Sequence, residues 1–251
     1  MTDSQIAQSI AYAHRQRDQH MVKFHEFLRI PSISTDSTFA PDIQRAADWI
    51  VTELERLGFD QCAVLPTDGH PVVYGEWLKA GSDKPTVIIY AHYDVQPPDP
   101  LALWQSPPFE PEVRDGKLYA RGVADDKAGV WGNLIVFEAL LAATGTLPFN
   151  VKVFFEGEEE CGSPNMEPFV TSNRDRLDAD LLIVSDSGCM PPLPEVPYSV
   201  RGVISAEVTV TGPEHDFHSG AGGGIVHNPI HMLSRIIASF HDDAGRILVA
   251  P

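Results

Sequence analysis

The stretch TVIIYAHYD, residues 86–94, decides the fold of this chain. Its first six residues form a continuous apolar run, which is typical of a central strand covered on both faces. Two further runs of this kind lie at about 150–155 and 181–185. Each run is followed closely by acidic residues or a histidine, and open α/β sheets bind their ligands at the carboxyl ends of their strands. The sequence therefore predicts a functional site at these strand ends.

The segments around these runs predict an α/β fold. Helical spacing covers residues near 4–29, about 41–57 and 126–143, and two more strands are predicted at about 61–65 and 72–78. Pro31 should end the first helix, and Gly58 and Gly145 lie where the other two should end. This order of elements predicts a mixed, mostly parallel sheet flanked by helices.

The hydrophobic pattern changes in the last fifth of the chain, where we place a domain boundary. Apolar and polar positions alternate over 203–210, as in a half-exposed antiparallel strand, and a glycine-rich loop and a helix capped by Asn228 follow. We expect an incomplete first domain over residues 1–200 and the start of a smaller α+β domain over residues 201–251. Because a lone strand and helix leave sheet edges unpaired, we expect the polypeptide to continue beyond Pro251.

Composition excludes several classes of partner. The chain has 35 acidic and 18 basic residues, a formal net charge of -17, and no cluster of Lys or Arg that could neutralise phosphates. This argues against nucleic acid. Neither a signal-peptide pattern nor about 18 consecutive apolar residues occurs, so we expect a cytoplasmic protein with no membrane partner. Cys62, Cys161 and Cys189 are too scattered for a disulfide framework or a CxxC metal site.

Four short segments carry the candidate chemistry. Together they supply one imidazole and a surplus of carboxylates, which is the mixture of ligands that zinc or manganese accepts in a hydrolytic two-metal site. The segments are His92 to Asp94, Asp125-Asp126, Glu158-Glu159-Glu160 and Asp186. Their wide spacing means that the fold, rather than one helix, must bring them together.

Each segment also has a purely structural interpretation. His92 could be a turn residue hydrogen bonded to Asp94. Asp125 and Asp126 could cap a helix, and Asp186 could make an Asx turn. The three adjacent glutamates are harder to explain in this way, because they repel one another unless protons, cations or solvent intervene. The functional interpretation gives one glutamate to a metal ion and makes its neighbour a general base toward water. A histidine in the loop at 218 is not tied to the others by spacing.

Several ordered motifs resemble one metallopeptidase family. They are FLRIPSIS (27–34), VIIYAHYDVQP (87–97), LYARGVADDKAG (118–129), FFEGEEECGS (154–163), SDSG (185–188) and RGVISAEVTVTGPEHDFHSGAGG (201–223). They are similar to the co-catalytic metallopeptidases that include carboxypeptidase G, carnosine-type dipeptidases, succinyl-diaminopimelate desuccinylase and aminoacylases. The strings VQPPDP and HDFHSGAGGG resemble the dipeptidase branch most. The resemblance implies a zinc-exopeptidase-like catalytic domain followed by a lid or dimerisation domain.

This resemblance implies a role for each candidate residue. His92 and Asp186 would bind one metal ion, Glu160 would bind the second, and Asp125 would bridge both. Glu159 would act as the general base. Zinc would be the preferred metal and manganese the alternative.

Three further implications concern supporting residues. Asp94 would orient His92, and the peptide bond between Asp125 and Asp126 would be cis. His218 would reach across a homodimer to polarise the substrate carbonyl. Members of the family add a last histidine ligand after the lid, and this chain stops before that point, so the resemblance implies an incomplete, inactive fragment.

The resemblance predicts hydrolysis of the amide bond in dipeptides or short peptides. An N-acyl amino acid deacylase or desuccinylase would use the same metal residues and differ in its substrate pocket. Outside enzymes, the chain could be a metal-stabilised dimerisation module without activity. Turnover of a dipeptide compared with that of an N-acyl amino acid separates the first two, and metal without turnover indicates the third.

Overall fold

The structure is a computed structural model that describes residues 1–188, 196–203 and 205–249. The chain divides into two compact units, Met1–Glu195 and Val196–Pro251. The first unit holds the sheet and all of the predicted metal ligands.

Seven strands are assigned among the described residues, all of them in the first unit. They are β1 (Asp60–Leu65), β2 (Val72–Trp77), β3 (Thr86–His92), β4 (Glu112–Arg114), β5 (Lys117–Tyr119), β6 (Asn150–Glu156) and β7 (Leu181–Val184). Five of them form one sheet in the order β1-β2-β6-β3-β7, and β4 pairs with β5 separately. β3 is parallel to β6 and β7, whereas β2 is antiparallel to β1 and β6. The predicted mixed sheet and its five strands are confirmed.

Helices cover the two faces of this sheet. The helices of the first unit are α1 (Asp3–Arg15), α2 (Arg17–Leu28), α3 (Ala40–Arg56), α4 (Lys127–Thr144) and α5 (Met166–Ser172). The second unit has its own helices, α6 (Ser219–Gly222) and α7 (Pro229–Ala238). Val87 and Ile89 of β3 belong to a large core shared with α3 and α4, while Ile88 packs with Phe154 and Phe169 on the opposite face. Two covered faces explain why β3 is apolar at successive positions. Within the described residues, no helix has both the length and the apolar character needed to cross a bilayer.

The ends of the predicted first helix and of α4 compare differently with the prediction. The single helix expected near 4–29 is interrupted at Gln16, whose ψ of 4° departs from helical values, so α1 and α2 are separate elements. α4 begins after Asp126, whose side chain accepts the Gly129 N–H, and ends at Gly145 with φ 73°. Both ends of α4 agree with the prediction, because a carboxylate accepts free N–H groups and glycine adopts a left-handed cap without strain.

The second unit departs from the prediction in one respect. The strand expected over 203–210 is not formed in its described residues, and Ile204 lies outside them. A strand needs a hydrogen-bonded neighbour, and none pairs with this segment among the residues that the structure describes. The predicted helix is confirmed: α7 begins at Pro229, and the Asn228 side chain accepts the Ile230 N–H at 2.9 Å.

Candidate metal centre

The sheet order brings the predicted site residues together. β6, β3 and β7 are adjacent and parallel, so their carboxyl ends meet at one edge of the sheet. His92 ends β3, the glutamate triplet follows β6, and Asp186 follows β7. Asp125 and Asp126 lie at the start of α4, which packs against β3. All four segments therefore converge within the first unit.

His92 is the centre of this arrangement. Its ring is fully buried, and its Nε2 lies 3.0 Å from Asp125 Oδ1, 3.9 Å from Glu159 Oε2 and 3.9 Å from Asp186 Oδ1. Donor atoms around a tetrahedral zinc ion are roughly 3.4 Å apart, given zinc–ligand distances of about 2.1 Å. The spacing of these atoms is thus close to that of a coordination shell.

The other ring nitrogen of His92 fixes the orientation of the imidazole. Nδ1 lies 3.3 Å from Asp94 Oδ1 and 3.1 Å from the Asp94 carbonyl oxygen. With a proton on Nδ1, the ring donates to Asp94. Nε2 donates to Asp125 Oδ1 while the imidazole is protonated, and loss of that proton leaves the Nε2 lone pair for a metal ion. A carboxylate in this position holds the tautomer and raises the basicity of a metal-binding histidine.

Asp94 also organises the glutamate triplet. Its Oδ1 accepts the Glu159 N–H at 3.2 Å, and its Oδ2 accepts the Glu160 N–H at 3.0 Å. The residue is fully buried, so these bonds offset the cost of removing its charge from water. One side chain therefore holds both His92 and the turn that carries two of the glutamates.

The three glutamates occupy different surroundings, which explains how adjacent carboxylates coexist. Glu158 turns away into the protein and is almost fully buried. The Glu159 carboxylate is part-exposed and faces His92. Glu160 Oε2 accepts a hydrogen bond from Gln96 Nε2 at 2.8 Å, and the same amide donates to the Glu160 carbonyl oxygen at 2.9 Å. Only the last two glutamates face the site.

The two aspartates at the start of α4 also differ. The bond between them is cis, as the family resemblance predicts. Asp125 is largely exposed and reaches His92 Nε2. Asp126 is buried, and its carboxylate accepts N–H groups from His92 and from Gly129, both at 3.1 Å. Asp126 thus ties the end of β3 to the start of α4, and both of its oxygens are already occupied.

The electrostatics of the site are those of a carboxylate cluster with too little positive charge. Burial raises the pKa of Glu159, Glu160 and Asp186, and neighbouring carboxylates add to the effect. Burial also raises the pKa of Asp126 to about 7. For His92 burial acts in the opposite direction, but the hydrogen bond to Asp94 and the surrounding negative charges raise its pKa to about 10. The site therefore binds protons tightly, and a divalent cation would meet the same demand.

Two sets of donor atoms have the proximity that a metal ion needs. One set is His92, Asp125 and Glu160, and the other is His92, Asp126 and Asp186; the atoms of each set lie within 4.8 Å of one another. Their nitrogen and oxygen donors suit zinc or manganese. In the second set Asp126 is the weaker candidate, because both of its oxygens accept backbone N–H groups. The residues present therefore fit a divalent metal.

Sequence reasoning missed three supporting residues. Gln96 donates to Glu160, and Glu158 anchors the turn. The buried Nζ of Lys127 donates to the carbonyl oxygens of Phe27 and Ile30 at 2.9 and 2.6 Å. Each of these residues lies within one of the motifs given above. Their hydrogen-bond partners are distant in sequence, apart from Asn165, which binds Glu158. Position beside a candidate ligand was the only available signal.

His218 belongs to the second unit. Its Nδ1 accepts the Gly220 N–H at 3.1 Å, which places the neutral ring's proton on Nε2. Its proposed action on a substrate stays a prediction.

The chain matches two known protein-family models. Residues 88–220 match the family model described as Peptidase family M20/M25/M40, and residues 198–248 match the Peptidase dimerisation domain. The chain is 32% identical over 248 residues to the Cys-Gly metallodipeptidase dug1 of Schizosaccharomyces pombe, covering 94% of this chain and 52% of that protein. It is 34% identical over 254 residues to the human Beta-Ala-His dipeptidase, covering 95% and 50%.

Among solved structures, human carnosine dipeptidase 1 superposes with a TM-score of 0.70 at 28% identity, over 96% of this chain and 53% of that one. The chain thus spans about half the length of the curated relatives it matches.

Proposed function

The chain belongs to Peptidase family M20/M25/M40, and we propose that the protein hydrolyses the amide bond of dipeptides or similarly short peptides. The observation that carries the proposal is the convergence of carboxylates from three other segments on His92 Nε2. The names of the relatives support the substrate class, since both curated proteins described above are dipeptidases. Such an enzyme would place the scissile carbonyl over this edge of the sheet.

Two divalent metal ions are part of the proposal, with zinc preferred to manganese. His92 and Asp186 would hold one ion, Glu160 would hold the other, and Asp125 would bridge them. When bound, the metal ions supply Lewis-acid polarisation and lower the pKa of water, which provides a nucleophile at neutral pH. The donor spacing around His92 and the excess of negative charge support a divalent metal at this site, and the division of the ligands between two ions follows the family resemblance.

Glu159 is proposed as the general base. Its carboxylate is 3.9 Å from His92 Nε2 and part-exposed, so it faces both the ligands and the solvent from which water and substrate arrive. Burial and the charges of Asp186, Glu160 and Asp94 raise its pKa, and His92 opposes them. A raised pKa suits a group that accepts a proton from water and then donates it to the leaving amine.

The remaining assignments concern support and assembly. Asp94 would orient His92, while Asp126 would hold the Asp125 loop. His218 would donate Nε2–H to the developing oxyanion of a substrate bound to the partner subunit of a homodimer. The match of residues 198–248 to the Peptidase dimerisation domain supports the homodimer. We also propose residues 1–200 as part of the catalytic domain, residues 201–251 as the start of the lid, and a cytoplasmic location.

The proposed test uses the full-length gene product. Glu159→Gln should reduce hydrolysis of a dipeptide by about 10²- to 10⁴-fold and leave zinc content at the wild-type value, because the amide cannot accept a proton and the ligands remain. Glu167→Gln is the matched control, since Glu167 is an exposed glutamate on α5. Full turnover by Glu159→Gln would remove Glu159 as the base.

Substrate class is tested in parallel. Turnover of a dipeptide is measured against turnover of an N-acetyl and an N-succinyl amino acid under the same conditions. A preference for the dipeptide supports the proposal, whereas a preference for the acylated amino acids makes the protein a deacylase. Bound zinc without turnover of any of the three would make it a metal-stabilised module.

A further inference from the structure

Glu158 is a buried carboxylate that the proposed reaction does not use. Only 3% of the residue is exposed. Its Oε2 accepts the His70 N–H at 3.0 Å and the Asn165 Nδ2–H at 3.2 Å, and its Oε1 accepts the Asn165 backbone N–H at 2.9 Å. A buried carboxylate is costly unless it is hydrogen bonded or paired, and three N–H donors meet that requirement here.

The loop at residues 69–70 leaves room for the Glu158 carboxylate. A Cβ atom added at Gly69 would lie 2.6 Å from Asn165 Nδ2 and closer still to Glu158 Oε2, so only glycine leaves room for the carboxylate. The loop is also fixed independently of Glu158. Thr67 Oγ1 accepts the Gly69 N–H at 2.9 Å and donates to the His70 carbonyl oxygen at 2.7 Å. The Glu158 carboxylate therefore binds a loop whose conformation is already fixed by Thr67.

The turn that follows Glu158 carries the site. Residues Glu159–Cys161 form a single 3-10 turn. On one side of this turn the Asp94 carboxylate accepts the N–H groups of Glu159 and Glu160. On the other side the Glu158 carboxylate is held by the 69–70 loop and by Asn165. The backbone between these two anchors determines where the two site glutamates project.

We propose that Glu158 is a positioning residue, a buried clamp that fixes the Glu159–Cys161 turn and thereby sets the distance of Glu159 and Glu160 from His92. The inference rests on the proposed roles of those two glutamates. It also accounts for the glutamate triplet, since Glu158 is needed for its three acceptor bonds rather than for charge in the site. An amide at this position offers one oxygen to donors that approach both oxygens of Glu158, so glutamine cannot replace it.

The experiment compares three variants of the full-length protein with the wild type. Glu158→Gln removes one acceptor and introduces N–H groups against N–H donors. Asn165→Ala removes only the 3.2 Å bond and keeps the backbone donor. Glu167→Gln removes an equal charge from an exposed position.

Three quantities are measured for each protein. Zinc affinity is determined by competition with a chelator, and ligand geometry by the visible absorption of the cobalt-loaded protein. Hydrogen exchange of residues 157–165 is followed in chelator-treated protein, with the melting temperature as a check on folding.

The expected result is a graded one. Residues outside the coordination shell that orient metal ligands contribute about 10- to 100-fold to metal affinity. Glu158→Gln should weaken zinc by that factor, alter the cobalt spectrum and speed exchange in 157–165. Asn165→Ala should shift each quantity part of the way, and Glu167→Gln should match the wild type. A residue that only stabilises the fold would lower the melting temperature and leave the cobalt spectrum unchanged.

Wild-type zinc affinity, spectrum and exchange in Glu158→Gln would overturn the clamp. If Glu158→Gln does not fold, the test uses Asn165→Ala. Wild-type zinc affinity, spectrum and exchange in that variant would also overturn the clamp. The exchange data also separate this inference from the proposed function. A wild-type protein that hydrolyses neither peptides nor N-acyl amino acids refutes the function, while faster exchange in the variants would still support the clamp.

Discussion

The two sides of the candidate site are built very differently. On the β3 side His92 and Asp94 are fully buried, and each is bonded to several neighbours. On the β7 side Asp186 follows a strand whose four apolar residues are 42% to 57% exposed. Among the described strands, β7 pairs only with β3. The Ser185 N–H bond to the Tyr90 carbonyl oxygen, 2.7 Å long, continues that pairing toward Asp186.

The β3 side of the site is held by many more bonds within the first unit than the β7 side. Asp94 and Asp126 connect β3, α4 and the turn after β6 through side chain to backbone bonds. His92 is therefore oriented before any cation binds. The position of Asp186 depends on a single strand pairing and on packing against the start of α4. Substitutions on the β3 side should consequently weaken the binding of both metal ions, and substitutions on the β7 side should weaken the binding of one ion.

The largest effect on metal binding is expected for Asp94→Ala. The change removes the carboxylate acceptor for His92, which keeps only the backbone carbonyl oxygen of residue 94. It also leaves the N–H groups of Glu159 and Glu160 without their partner, which is costly in itself. Peptide hydrolysis by the full-length protein should fall by a hundredfold or more, with zinc content well below wild type. Steady-state kinetics and elemental analysis check this. Wild-type zinc content in Asp94→Ala would contradict the central place given to Asp94.

A smaller effect on metal content is expected for Asp186→Ala. If Asp186 serves one of two ions, zinc content should fall by about one ion per chain, because the other donors remain in place. The side chain is 29% exposed, so the melting temperature of the chelator-treated protein should change little. Loss of both ions, or none, would show that the two sides are not separable as described.

The contact between α4 and the Asp186 loop offers a change outside the ligands. A Cβ atom at Gly129 would collide with the Ser185 carbonyl oxygen and with the Asp126 carboxylate, whereas one at Gly132 would meet nothing within 4 Å. Gly129→Ala should displace Asp186 and weaken zinc about tenfold. Gly132→Ala is the matched control in the same helix and should raise stability by about 0.5–1 kcal/mol. Equal zinc affinity in both variants would exclude the contact as a support.

The smallest effect concerns pH. The folded-state pKa values of Asp126, about 7, and His92, about 10, lie above their ordinary values. Such groups stabilise the metal-free fold at low pH, and that contribution is lost as pH rises through 4–7 for Asp126 and 6.5–10 for His92. Zinc should therefore raise the melting temperature by more at pH 8 than at pH 6, because it competes with fewer protons. An equal shift at both values would contradict this linkage.

Much of the fold followed from local pattern. Continuous apolar runs identified β3, β6 and β7, and Asp126 and Gly145 marked the ends of α4. The expected burial of both faces is found for β6 and most of β3, whereas the residues of β7 are exposed. The alternating segment at 203–210 misled because alternation reports a preference for strand, whereas a strand also requires a neighbour. The break at Gln16 had no local signal.

The site was predictable only in outline. Strand ends indicated which residues would meet, but not that Asp94 would bind the backbone of Glu159 and Glu160, or that Glu158 would turn toward His70 and Asn165. Those bonds join positions as many as 88 residues apart, and their partners are backbone groups present at nearly every residue. Sequence alone could not select among them.

We propose that His92, Asp125, Glu160 and Asp186 surround a shared pair of metal ions. Anomalous diffraction from crystals of the full-length protein grown with zinc locates the ions independently of activity. We expect two zinc peaks about 3.5–4 Å apart, with Asp125 between them and His92, Asp186 and Glu160 within bonding distance. Zinc bound elsewhere, or no peak at this edge of the sheet, would contradict it.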